Sequence, residues 1–180
     1  MMDPAAAVQA CEREVVALHE FFVAWFAGRL HDAAFDEFLQ RFSDDFEMVT
    51  PDGTKVDKAR LGGMRGAKGS NGAWQIHIHV RLSAVPRSGG RYVTGTYLEL
   101  QQGAGHGSSA GADRSTNGRI STPLLELDAG VRPHGVRWLR LAETWLPEEQ
   151  LAAFDFGAAA AAAARGGDAA EQASEASERA

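Results

Sequence analysis

Apolar residues recur at alternating steps of three and four near the start of the chain. Val8, Cys11, Val15, Leu18, Phe22 and Trp25 fall on one helical face, with Glu12, Arg13 and Glu20 at polar positions. The pattern predicts a helix over 4–28, stopped at Gly28. Toward its end the apolar face widens to Phe21, Phe22, Val23, Trp25 and Phe26, as expected of a helix end buried nearly all round. A second helix is predicted from Asp32, its cap, to Ser43, with Phe35, Phe38, Leu39 and Phe42 as its apolar face. FEMVT at 46–50 reads as a short strand and Pro51-Asp52-Gly53 as a turn. Residues 57–65 read as a short helix weakened by Gly62 and Gly63.

The period then changes to two. Trp74, Ile76, Ile78, Val80 and Leu82 alternate with Gln75, His77, His79 and Arg81, which predicts a strand with its apolar side on the core. Further strands are predicted over 91–101, 119–128 and 136–146, with Pro123 marking an edge or a bulge in the second of these. The stretch 102–118, rich in Gly, Ser and Ala, reads as a long mobile loop. From Gly157 onward the alanine run and the Glu/Ser/Ala tail have no apolar face to hold them on a core. The domain expectation is a disordered segment over 1–7, one folded domain over 8–150 and a low-complexity tail over 151–180. The fold class is α+β: two to three N-terminal helices packed on a curved antiparallel sheet.

Composition narrows the setting. The 180 residues carry a net charge of -6, which argues against a nucleic-acid backbone as partner. One cysteine, Cys11, excludes an internal disulfide framework. No signal peptide is legible, and FFVAWFAG at 21–28 is too short to span a membrane. The expectation is a cytoplasmic protein with neither membrane nor nucleic acid as partner.

The order of elements resembles the nuclear-transport-factor-2-like (NTF2-like) superfamily, in its SnoaL-like and DUF4440-type branches. The resemblance spans about 12–146. It is carried by EREVVALHEFFVAWFAG, FSDDFEMVTPDG, VDKARLGGMRG and the closing strand VRWLRLAETW. It implies a cone-shaped fold with a pocket between helices and sheet, and a homodimer formed through the sheet face. Family members include ketosteroid-isomerase-like enzymes, polyketide cyclases, dehydratases and non-enzymatic binding modules, so the fold alone selects no function. The isomerase-type trio of one Tyr and two Asp has no place here: the first helix lacks Tyr, and 91–101 and 136–146 lack Asp. Cyclase-type members put an acidic residue on a late strand, a position matched by Glu143 alone.

Three chemistries can be weighed from the residues. Glu99, Glu126 and Glu143 lie on three strands. A carboxylate in an apolar pocket has its pKa raised and can move protons, whereas pairing with Arg81, Arg137 or Arg140 would make it ordinary surface. His77 and His79 share one strand face at the spacing of a metal pair, and His79 is also a candidate acid or base. Both histidines are equally accounted for by an outer face in water or in a dimer contact, and no metal or other cofactor is expected. Trp25, Phe26, Tyr97, Trp138 and Trp145 are candidates to line a pocket for a small apolar molecule, although the same rings can simply fill a core. GAKGS at 66–70 lacks the spacing of a phosphate loop, and Cys11 on the helix stripe reads as a buried, inert thiol. Two readings result. One is an isomerase, cyclase or dehydratase acting by acid–base chemistry on a small apolar molecule. The other is a homodimeric module without catalysis, in which the sheet face bearing His77, His79 and Tyr97 meets a second copy.

Overall fold

Asp3 caps the first helix by accepting a hydrogen bond from the Ala5 amide at 3.1 Å, and Pro4 occupies the first helical turn, where its missing N–H costs nothing. Helix α1 therefore runs Pro4–Phe26. Residues 4–7, placed by the helical spacing in α1 and by the domain expectation in a disordered segment, belong to the helix, where Ala7 is fully buried. These elements come from a computed structural model, which describes residues 3–86, 88–104 and 115–155. Residues 105–114 of the expected loop, and 156–180 of the expected tail, lie outside the described residues. The chain divides into two units, Met1–Leu146 and Pro147–Ala180, and the second contains the short helix α4 (Glu148–Ala152). Among the described residues no helix is long and apolar enough to cross a membrane.

In the first unit α1 is followed by α2 (Ala33–Gln40), β1 (Phe42–Val49), β2 (Lys55–Asp57) and α3 (Lys58–Gly62), which runs into a 3-10 turn over Gly63–Ala67. Four long strands complete it: β3 (Gln75–Ala84), β4 (Tyr92–Gln102), β5 (Thr116–Leu127) and β6 (Val136–Trp145). The sheet order is β2-β1-β6-β5-β4-β3. The expectation of a wholly antiparallel sheet is corrected at one pairing, since β1 runs parallel to β6. The chain reaches β1 from the helices and returns to pair with it only after three more long strands, the long connection that a parallel pair needs. The second helix is also shorter than expected. Phe42 and Ser43 already belong to β1, because Phe42 pairs with Trp138 of β6 and this contact outweighs the helical spacing. Pro123 sits in an interior strand beside a register shift at Leu124/Leu125, so it marks a bulge and not an edge.

Helix α1 lies on one face of the sheet, and the core fills the space between them. A wedge of rings holds its C-terminal end. Phe21 stacks on Phe38 with centroids 4.5 Å apart, Phe38 meets Phe42 at 5.1 Å, and Phe42 meets Phe46 at 4.7 Å. Each ring buried this way contributes about 1.5–3 kcal/mol. The helix ends because its last carbonyls are taken by another segment: the amides of Gly69 and Asn71 donate to Trp25 and Phe26. Gly28 and Gly69 face each other there with positive φ, and a Cβ on Gly28 would sit 3.3 Å from the Gly69 backbone. The glycine-rich stretch at 66–70, rejected above as a phosphate loop, helps to cap α1. Its Lys68 pairs with Asp32 at 2.6 Å and reaches over the Trp25 ring. Cys11 is fully buried, and burial pushes its thiol up to about 12.

Candidate functional site

Strand alternation puts Tyr97, Glu99 and Gln101 of β4 on the side facing α1. Register carries that face across the sheet: Tyr97 pairs with Ser121 and then Glu143, Glu99 with Arg119, and Gln101 with Asn117. All of these except Arg119 are buried. Above them α1 brings Leu18, His19 and Phe22. Tyr97, Glu99, Gln101, Arg119 and Glu143 line, with these helix residues, a cavity of about 140 Å³, whose other walls include Phe46, Met48, Leu61, Met64 and Trp74. The walls are mostly apolar and the polar groups sit on the sheet floor.

The polar floor has a fixed wiring. His19 Nδ1 lies 2.7 Å from the Val15 carbonyl, and a carbonyl only accepts, so Nδ1 carries hydrogen. His19 Nε2 then faces Glu99 Oε2 at 3.2 Å, a contact that needs a proton on the line between them. Burial alone would pull the imidazole pKa down, but the charge and hydrogen bond of Glu99 outweigh it and His19 titrates above its ordinary value. Burial likewise opposes ionisation of Glu99, yet His19 holds it well below the usual carboxylate range. Both shifts favour the imidazolium–carboxylate form of the pair. The other Glu99 oxygen accepts from Gln101, whose own Oε1 accepts from Trp74 at 3.2 Å and Asn117 at 3.4 Å. Glu99 thus has both oxygens occupied.

Glu143 differs. Arg119 Nη1 stands 3.4 Å from its Oε2, and the Ser121 hydroxyl on the neighbouring strand is its other polar neighbour on the floor. Burial pushes Glu143 up and the nearby Glu99 charge adds to this, while Arg119 and His19 oppose them; the carboxyl titrates at about 7. Two carboxylates on neighbouring strands are therefore held apart in protonation, one locked as an anion and one poised at neutral pH. Tyr97 is pushed well above its ordinary value by burial and by both carboxylates, so it remains a phenol. Its ring meets that of His19 edge-on at 5.3 Å.

The other sequence candidates lie elsewhere. Trp25 is buried in the aromatic wedge, with Nε1 donating to the Met64 carbonyl at 3.2 Å. Phe26 packs edge-on to Trp74 at 5.0 Å. Trp138 is fully buried and donates to Glu14 at 3.3 Å. Trp145 donates to Asp52 at 3.0 Å and lies under the Arg119 guanidinium. None of these four is among the residues lining the cavity, whereas Tyr97 is. His77 and His79 pair with Leu100 and Leu98 on the sheet face turned away from α1, because Ile78, Val80 and Leu82 take the core side. Tyr97, grouped with them from sequence, is on the opposite face. Among the described residues no cluster of three or more His, Cys, Asp or Glu is placed to hold a metal. Glu126 pairs with Arg91 at 2.5 Å, away from the cavity. Of the arginines named as surface partners of Glu99, Glu126 and Glu143, Arg137 pairs with Asp128 and Arg140 donates to the Asp45 carbonyl.

His19, Arg119, Gln101, Asn117 and Ser121 escaped the sequence reading. So did a second buried cluster, in which Glu14, fully buried, pairs with Arg41 at 3.5 Å and accepts from Trp138. Burial pushes Glu14 up to about 7 against the pull of Arg41. One signal was available, because Glu14 falls between Cys11 and Leu18 on the apolar stripe of α1, three residues from one and four from the other.

No protein-family model matches the chain, and no curated protein does. Solved structures do. An NTF-2 like protein of unknown function from Pseudomonas aeruginosa is 30% identical over 77% of this chain and 99% of its own, with a TM-score of 0.61. The S. rosetta CaMKII hub is 12% identical over 81% of this chain and 98% of its own, at a TM-score of 0.55. A ketosteroid isomerase-like protein from Erwinia carotovora atroseptica is 11% identical over 78% and 96%, at a TM-score of 0.50. The last two share the fold alone. With a helix-capped mixed sheet, and 30% identity across nearly the full length of the first of these structures, the chain belongs to the NTF2-like family.

Proposed function

We propose that the cavity holds a small, mostly apolar molecule and that Glu143 moves a proton on it, in the manner of an isomerase, cyclase or dehydratase. The observation that carries this is the placement of one carboxyl, its Arg119 contact as long as 3.4 Å, in an apolar cavity beside a second carboxylate that is locked. As carboxylate, Glu143 takes a proton from a carbon next to a carbonyl; as acid, it returns the proton elsewhere. Its pKa of about 7 makes both forms available at neutral pH. Tyr97 supplies a neutral donor in the same wall. The volume limits the substrate: about 140 Å³ is near the ~150 Å³ that accommodates benzene in an apolar protein cavity. A single ring matches this volume.

Deuterium wash-in tests the chemistry. In heavy water the wild type is expected to accelerate exchange of the protons beside the carbonyl of cyclohexanone-sized ketones, and Glu143→Gln is expected not to. Equal acceleration by both proteins removes Glu143 from the role, and no acceleration over buffer by the wild type counts against acid–base chemistry.

A second reading, a homodimeric interaction module, is favoured by one observation: Ile120, on the face turned away from α1 between Leu98 and Thr144, is 38% exposed. In that reading a second copy covers this face, with His77 and His79 at its margin. Sedimentation of Ile120→Glu tests it: loss of a wild-type dimer supports the interface, and an unchanged state removes it.

A further inference from the structure

Arg119 is under-coordinated for its position. A guanidinium carries five N–H donors, and charged groups taken out of water are normally paired and hydrogen-bonded. The Arg119 side chain is 23% exposed, yet its single hydrogen bond is the 3.4 Å contact to Glu143, and its Nε is buried without a partner. Charge-assisted bonds of this type usually measure about 2.7–2.9 Å. Other cations of the same molecule come at least that close at more open positions: Arg137 lies 2.7 Å from Asp128 and Lys68 2.6 Å from Asp32. Stacking on Trp145, 5.3 Å from the ring centroid, holds the guanidinium plane but satisfies no N–H. The Glu99 oxygens accept from His19 and Gln101, and Arg119 acts on Glu99 through its charge without a hydrogen bond.

Building on the proposed function, we infer that Arg119 is a carboxylate subsite and that the substrate is a small ring-sized organic acid: an apolar body in the cavity and one carboxylate beside Arg119. A planar carboxylate matches the guanidinium fork and supplies the short bonds that Glu143 does not. Among the residues lining the cavity Arg119 is the one Lys or Arg, so a monoanion is matched and a phosphate dianion is not. Because Glu143 is the rival partner of Arg119, a bound carboxylate competes with it for the guanidinium and leaves Glu143 free to exchange its proton.

Calorimetric titration of the full-length protein with benzoate and benzamide, alongside toluene binding by NMR, tests this. Toluene is expected to bind, and benzoate is expected to bind at least tenfold more tightly than benzamide. Arg119→Met is expected to erase the preference for benzoate while keeping toluene, and Glu143→Gln, which removes the rival, to tighten benzoate severalfold. Should Arg119→Met fail to fold, the wild-type ratio and the Glu143→Gln shift still decide. Toluene binding without any benzoate preference, or weakened benzoate in Glu143→Gln, overturns the carboxylate subsite and leaves the cavity reading intact. Failure of all three compounds to bind overturns the cavity reading and the subsite with it.

Discussion

Glu99 and His19 sit together in a site that excludes water, and each makes the other's charge tolerable. Removing one member leaves a buried charge without its partner, a loss of about 3–5 kcal/mol. Glu99→Gln is expected to show a loss of that order in urea unfolding at pH 6, and a loss under 1 kcal/mol would mean the pair is not charged. The pH dependence has a definite sign. Glu99, depressed below its ordinary 4.5, contributes stability above that value and loses it as pH falls through its folded pKa. His19, raised above its ordinary 6.5, contributes stability below that value and loses it as pH rises through its folded pKa. The pair therefore stabilises most between 4.5 and 6.5. Glu143 runs the other way from Glu99. Its pKa is raised from 4.5 to about 7, so its contribution is greatest below 4.5 and falls as pH rises through 7. Thermal melts should accordingly show Glu143→Gln gaining on the wild type as pH goes from 5 to 8, and a constant difference would contradict the raised pKa. Period two along β4 and the closing strand made Glu99 and Glu143 legible as candidates, but their environments were not. His19 was hidden because nothing in a single helix says which strand it will face.

At the level of elements, β5 explains what the sequence concealed. Its inward residues are Asn117, Arg119 and Ser121, while Ile120 points outward and is 38% exposed. Hydrophobic alternation, read alone, turns this strand over and puts Arg119 on the surface. A strand whose polar side faces a core is a sign of a site, and only the pairing with β4 and β6 reveals it. The boundary between α2 and β1 was misplaced for a related reason: Phe42 continues the helical spacing, yet it gains more by pairing with Trp138 across the sheet. The ladder between β3 and β4 has its own constraint at Gly95, where φ is 148° and a Cβ would collide with the Arg81 carbonyl. Gly95→Ala is expected to cost more than about 1 kcal/mol in chemical denaturation, and a neutral substitution would show that the strands separate there without strain.

For the molecule as a whole, the order of the first three helices and five of the six strands were readable from spacing, β2 being missed, and the family resemblance followed from their order. The parallel contact of β1 with β6 was not readable, because it joins segments far apart in the chain whose pairing no local pattern encodes. That closure brings Phe46 and Met48 of β1 to one wall of the cavity and α1 to another, over a floor drawn from β4, β5 and β6. The central claim is that this enclosure keeps the Glu143 carboxyl poised at neutral pH. Carbon-13 NMR titration of glutamate-labelled protein tests it most directly. Two side-chain carboxyls, those of Glu143 and Glu14, are expected to titrate near 7, and one of these transitions is expected to vanish in Glu143→Gln. If every glutamate titrates in the ordinary range near 4.3, or both high transitions survive the substitution, the account of the site is wrong.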